Sequence, residues 1–218
     1  MTAFGPGEGI RADGVRGVCS VSLPARAGFS LIELLVVLAL MLIMTTMMWG
    51  FGSSSRQRAE KKACQKNLST IYVALQIYAT DYAGKLPANT NARTSEEALY
   101  VLVPRYTSDT SIFICPGGRD TALPEGTSFR NRRISYAYWM GAHFNDAQAL
   151  LMSDRLVNTL PKNAGDDAFS LTGKPPGNNH HKYGGNFLFG DGHMEMTPPR
   201  VPFSLATNEG VVLLNPRP

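Results

Sequence analysis

Residues 26–40 read RAGFSLIELLVVLAL, and the run stays apolar through MLIMTTMMW to Trp49. Within residues 29–48 the single ionisable group is Glu33. At about 1.5 Å per residue, that helix would span about 30 Å, the thickness of a bilayer core. An unpaired carboxylate at membrane depth costs roughly 2.5–3.5 kcal/mol, so Glu33 marks a functional position that needs a partner. An ordinary secretory signal has a shorter apolar core, about 7–15 residues, followed by an A-x-A-like cleavage site. Here GFGSSSRQR follows the apolar run, and it lacks that site. Cys19 precedes the run, which argues against a lipoprotein signal. The segment reads as a retained anchor.

With 218 residues, 44% of them hydrophobic, the chain has room for one membrane segment and one modest globular domain. The formal net charge is +4, but the basic residues are scattered and form no stripe, which excludes nucleic acid as a partner. Arg11, Arg16 and Arg26 precede the span, whereas Arg56, Arg58, Lys61 and Lys62 follow it. Charge alone thus leaves the orientation undecided or slightly favours the reverse of the one adopted below. Of the three cysteines, Cys19 lies before the anchor, leaving Cys64 and Cys115 as one candidate pair. In an exported domain a disulfide between them would staple a helix to the globular part; in a cytoplasmic one they would be free thiols.

Beyond the anchor, Gly50, Gly52 and residues 53–55 weaken the helix, and Leu68, Ile71, Leu75, Tyr78 and Tyr82 then recur at three- and four-residue steps. This stripe predicts an amphipathic half over residues 50–83, stopped by Gly84-Lys85-Leu86-Pro87. Anchor and stripe together would make a handle of about 54 residues, roughly 80 Å long. The alternative is two helices with a loop at residues 50–55. A short helix follows at residues 95–102, capped by Thr94 or Ser95, and then the pattern turns to strands at 111–115, 133–140 and 149–152. Residues 158–179, rich in Pro, Gly, Asn and Asp, read as a long surface loop. Asn186–Phe189 and His193–Met196 flank Gly190-Asp191-Gly192, which predicts a β-hairpin of two strands with a tight turn.

The junction Ala27-Gly28, Phe29-Ser30-Leu31-Ile32-Glu33 and the apolar helix behind it resemble the prepilin signal of type IV pilins and of type II secretion pseudopilins. His181, followed by nine residues and Asp191-Gly192, resembles the C-terminal signature of bacterial pilin-like proteins, as do Cys64-x-x-Asn67-Leu68 and Cys115-Pro116. The resemblance implies that a prepilin peptidase cuts after Gly28 on the cytoplasmic side and that the new amine on Phe29 is methylated. Residues 1–28 would then be the leader, longer than the family's shorter ones, so that translation could start further downstream. Residues 29–49 would be the transmembrane half of the helix and 84–218 a globular head. The implied fold is α+β and pilin-like: a long N-terminal transmembrane-plus-amphipathic helix carrying a small antiparallel β-sheet head.

On this reading Glu33 is an assembly residue, pairing with the Phe29 amine of a neighbouring subunit; a buried mismatch would leave a charge uncompensated and so select one axial register. The implied protein is a single-pass inner-membrane subunit with its head in the periplasm. It would polymerise with other pilin or pseudopilin subunits into a type II secretion pseudopilus or a type IV pilus that supports protein secretion. Two other classes make distinct demands. An anchored module binding a sugar or peptide would expose aromatic side chains around Tyr136, Tyr138 and Trp139. A metal-dependent hydrolase would bring His181, Asp191 and Asp154 together around zinc, whereas calcium would want oxygens such as those of Asp166, Asp167 and Asp191. The plainer account is that Asp191-Gly192 is turn chemistry. No nucleophile elbow, HExxH or phosphate loop is present, so no enzyme is expected.

Overall fold

The computed structural model describes residues 28–50, 52–121, 123–144, 146–175, 177, 179 and 183–218. Residues 1–27, and Cys19 with them, lie outside the described residues, as does His181 of the expected metal set. The chain divides into two units, Met1–Met47 and Met48–Pro218. The expected 54-residue handle is described as two helices, α1 (Leu31–Gly50) and α2 (Gly52–Asp81), on either side of Phe51, which also lies outside the described residues.

Helix α1 begins where the Ser30 carbonyl accepts the N–H groups of Glu33 (3.0 Å) and Leu34 (3.2 Å). Glu33 therefore sits in the first turn, where the helix dipole favours an acid. Thr45 and Thr46 donate their hydroxyls to carbonyls three and four residues back, so neither is left unsatisfied on an apolar helix. Every residue from Gly28 to Met48 is exposed. By length and composition, Leu31–Met48 is long and apolar enough to cross a membrane.

Helix α2 buries Cys64, Leu68, Ile71 and Leu75 completely, as the stripe requires. Tyr78 is half-buried, and Tyr82 lies beyond the helix end, stacked on Tyr78. Ala83 and Gly84 both take positive φ, and the Gly84 N–H returns to the Ala79 carbonyl (2.7 Å), which closes the helix at the expected stop.

The head carries one antiparallel sheet in the order β4-β3-β2-β1-β5. Its strands are β1 (Tyr136–Met140), β2 (Leu150–Asp154), β3 (Gly185–Phe189), β4 (Met194–Thr197) and β5 (Val212–Leu214). The first four form a meander, and β5 returns to pair with the free edge of β1. Tyr136, Met152, Asp154 and Asn186 share the face that meets α2: Tyr138 opposes Met152, Tyr136 opposes Asp154, and Asn186 bonds the α2 backbone. Trp139 and Phe187 point the other way and are covered by Phe169 and Phe203. Both faces are thus buried, and the alternation in residues 133–140 does not separate a wet side from a dry one.

Three expectations change. Residues 111–115 are not a strand: Ser111–Phe113 forms a 3-10 turn, because the Asp109 carboxylate accepts both the N–H and the hydroxyl of Ser111 and bends the backbone there. Residues 158–179 are not only a surface loop, since Ala168 and Phe169 are buried against the sheet's outer face. The helix at 95–102 is α-helical over Ser95–Leu99 (α3) and tightens to 3-10 over Tyr100–Leu102. At its start no hydroxyl caps the helix; instead Glu97 reaches back to accept the Arg93 N–H (2.8 Å).

Candidate functional site

At the anchor, Gly28 precedes Phe29, which is 81% exposed, and Glu33 lies one helical turn further on. A side chain added at Gly28 would meet no atom within 4 Å, and Gly28 is not among the positive-φ glycines. Nothing in the described chain therefore requires glycine there.

In the head, Cys64 of α2 and Cys115 are joined in a disulfide, with Cα atoms 5.4 Å apart. Beside the two sulfurs lies the fully buried carboxylate of Asp154, at the end of β2. One of its oxygens accepts both the backbone N–H (2.7 Å) and the Nδ2 (2.8 Å) of Asn186; the other accepts Nδ2 of Asn179 (3.2 Å). Asn186 Nδ2 also donates to the Lys61 carbonyl (3.0 Å). Asn67 bridges the Ile114 carbonyl (3.0 Å) and the Tyr136 hydroxyl (3.1 Å). The Lys61 ammonium donates to the carbonyls of Tyr183 (2.9 Å) and Thr197 (2.7 Å). Polar groups of α2 are thereby tied to β1, β3 and the end of β4, with the disulfide adding the 111–115 segment.

The electrostatics follow from this burial. Desolvation lowers the Lys61 pKa, and the Asp154 charge partly offsets it. Burial pushes the Tyr136 hydroxyl well above the ordinary tyrosine range; the Asp154 charge adds to this and the hydrogen bond from Asn67 opposes it. A carboxylate ringed by donors and closed to solvent is held in one orientation and has no access to a substrate. Its effect is to lock the sheet to the helix. The sequence carried a sign of this that the reading above did not use: Asn186 opens the predicted strand at 186–189, and asparagine is depleted in strands unless its amide has partners.

Gly190-Asp191-Gly192 closes the β3–β4 hairpin, with the Phe189 N–H bonded to the His193 carbonyl (3.0 Å). Asp191 accepts the His193 N–H (2.9 Å), and these hydrogen bonds hold its carboxyl below the usual range. Gly192 has φ of 90°, and a side chain there would come within 2.8 Å of the Tyr72 ring on α2. The Tyr72 hydroxyl donates to the Gly190 carbonyl (3.2 Å). Asp191-Gly192 is therefore turn chemistry that seats the hairpin on the helix.

Asp154 and Asp191 do not converge. Asp154 lies beside Asn186 near the start of β3, whereas Leu150 pairs with Phe189 at its end and Asp191 lies beyond that. Four residues of strand separate the two ends of β2, roughly 13 Å. Among the described residues, the group of potential metal ligands close enough to share an ion is Cys64, Cys115 and Asp154, and its sulfurs are already bonded to each other. The carboxylates considered for calcium are engaged locally: Asp166 accepts the Asn163 N–H, Asp167 pairs with Arg200, and Asp191 with His193. The aromatic surface expected at Tyr136, Tyr138 and Trp139 is not a surface, since they are 0%, 0% and 2% exposed. Their rings face α2 or the covering loop because β1 is an interior strand of the sheet.

Residues 23–49 match the family model described as the prokaryotic N-terminal methylation motif. The chain matches no curated protein and no solved structure. The matched residues take in the Gly28–Phe29 junction, Glu33 and the whole apolar run, which α1 presents as one helix long enough to cross a membrane. An apolar N-terminal helix, a second helix and a five-stranded antiparallel sheet together make an α+β set of elements of the pilin-like kind.

Proposed function

We propose that this chain, pilin-like at its N-terminus, is a structural subunit that is cut after Gly28, methylated on Phe29 and assembled through α1 into a type IV pilus or a type II secretion pseudopilus. The head stands in the periplasm and has a scaffolding rather than a catalytic role. The methylation motif across residues 23–49 carries this reading. Cleavage leaves a cationic amine at residue 29, one helical turn from Glu33. In a filament, that amine lies in reach of the Glu33 of a neighbour. A pair of unit charges at about 4 Å is worth roughly 4 kcal/mol at an effective dielectric of about 20, enough to select one axial register among packed apolar helices.

The test is the N-terminal mass of the protein recovered from native membranes. The expected result is a chain that begins at Phe29 and carries one added methyl group, with Gly28→Leu leaving the precursor intact. An uncut leader in the wild type, cleavage after Trp49, or normal processing of Gly28→Leu would each overturn the assignment.

A further inference from the structure

Beside the Asp154 cluster, to which Ser135 and Asn179 connect it, a cavity of about 670 Å³ opens on the head, within the size range of ligand sites. Three guanidiniums line it, those of Arg119, Arg133 and Arg155, against one side-chain carboxylate, that of Asp120. Asp120 is already committed. Its carboxylate takes Nη2 of Arg155 (3.1 and 3.3 Å) and the Ser135 hydroxyl (2.7 Å), and its side chain is 3% exposed. Arg155 is itself 11% exposed, and Nη2 carries all its hydrogen bonds among the described residues, the third going to the Ile134 carbonyl (2.8 Å). Its Nε is buried with no acceptor among the described residues. A buried donor without a partner is costly, and a guanidinium offers its N–H groups as a planar fork matched to a carboxylate. Arg119 and Arg133 are exposed and form no ion pair among the described residues. The site therefore holds surplus positive charge together with an unused buried donor.

Most of the rest of the wall is apolar, formed by Leu156 and by prolines including Pro175 and Pro216; the amide of Asn215, the other polar side chain there, is already bonded to the N–H and carbonyl of Leu156 (3.2 Å each). Such a wall does not suit a bare inorganic anion, which gains nothing from it. Nor does it suit an acidic sugar, whose hydroxyls would lose water without finding polar partners. A carboxylate beside an apolar side chain satisfies both halves.

We propose that this cavity binds an acidic peptide segment of another protein, with one Asp or Glu carboxylate clamped by the arginines and a neighbouring apolar side chain against Leu156 and the prolines. The inference does not rest on how the anchor is processed. The full chain in mild detergent would be titrated, by fluorescence anisotropy, with a labelled acetyl-Leu-Glu-Leu-Pro peptide and its Gln counterpart. Free phosphate and a galacturonate oligomer serve as competitors. The Glu peptide should bind roughly tenfold more tightly than the Gln peptide, as expected for a charge-assisted pair. Arg119→Ala and Arg133→Ala, both at exposed positions, should each weaken it severalfold, and the double variant should abolish it. Equal binding of the two peptides, no binding at millimolar peptide, full binding by the double variant, or displacement by phosphate or galacturonate at concentrations like the peptide's own would overturn the proposal.

Discussion

The Cys64–Cys115 disulfide closes a segment with a sequence separation of 51, joining the middle of α2 to the turn that precedes the sheet. Loop-closure entropy for a cross-link of that span removes about 4 kcal/mol of freedom from the unfolded chain. Small domains are stable by roughly 5–15 kcal/mol in all, so the bond accounts for a large share. Reduction, or the pair Cys64→Ala and Cys115→Ala, should lower the urea midpoint by roughly 1.5–2 M, taking a slope in the upper part of the usual range. The assay is tryptophan fluorescence of the full chain in detergent. Trp139, 2% exposed between β1 and its cover, reports the head, and Trp49→Phe removes the anchor's signal. Thiol alkylation read by mass gives an independent check. A chain cut after Gly28 has lost Cys19, so it should take up no label until it is reduced. If the processed chain is alkylated without reductant, or if the midpoint does not move on reduction, the stapling account fails.

Asp154→Ala would strand three buried N–H groups, the backbone one of Asn186 and one of the two amide hydrogens on each of Asn186 and Asn179, at a combined cost of roughly 3–6 kcal/mol. Asp154→Asn, which keeps one acceptor oxygen, should cost distinctly less; equal losses in denaturant unfolding would show that the hydrogen bonds are not the cause. Glu33→Ala removes only a first-turn acid, worth about 0.3–1 kcal/mol to the helix, so membrane insertion should persist while filament assembly fails. Filaments at wild-type abundance by electron microscopy would contradict the pairing of Glu33 with a neighbour's amine. Burial raises the pKa of Tyr136 and Tyr138 above 10.0, so the unfolded chain loses these protons first and stability should fall as pH rises past about 10. Lys61 acts in the opposite direction: its pKa lies below 10.5 in the folded state, so its share of stability should grow as pH rises towards that value. Thermal midpoints measured from about pH 8 to about pH 11, with Lys61→Met alongside, separate the two; a Lys61→Met midpoint that does not fall past pH 10 would refute the tyrosine account.

The anchor was fully legible in the sequence because its physics is local. A span of 20 residues with Glu33 as its single ionisable group needs no distant partner to be recognised, and the α2 stripe at Leu68, Ile71 and Leu75 follows from helical spacing alone. The hairpin around Gly190-Asp191-Gly192 was legible for the same reason, since a turn is written in adjacent residues. The edge strand β5 went unseen, because Val212–Leu214 is too short to show a period. The 111–115 run misled, because a short apolar run behind Ser111 fits a strand as well as a turn, and the deciding atom belongs to Asp109. Only tertiary structure could give Asp154 its meaning. Its donors on Asn179 and Asn186 come from 25 and 32 residues away, and the separation of Asp154 from Asp191 depends on strand register. The sequence by itself determined where the chain is anchored and what kind of signal it carries. The arrangement of the head was decided by long-range pairing, since a buried charge can be placed only where donors from separate strands meet around it.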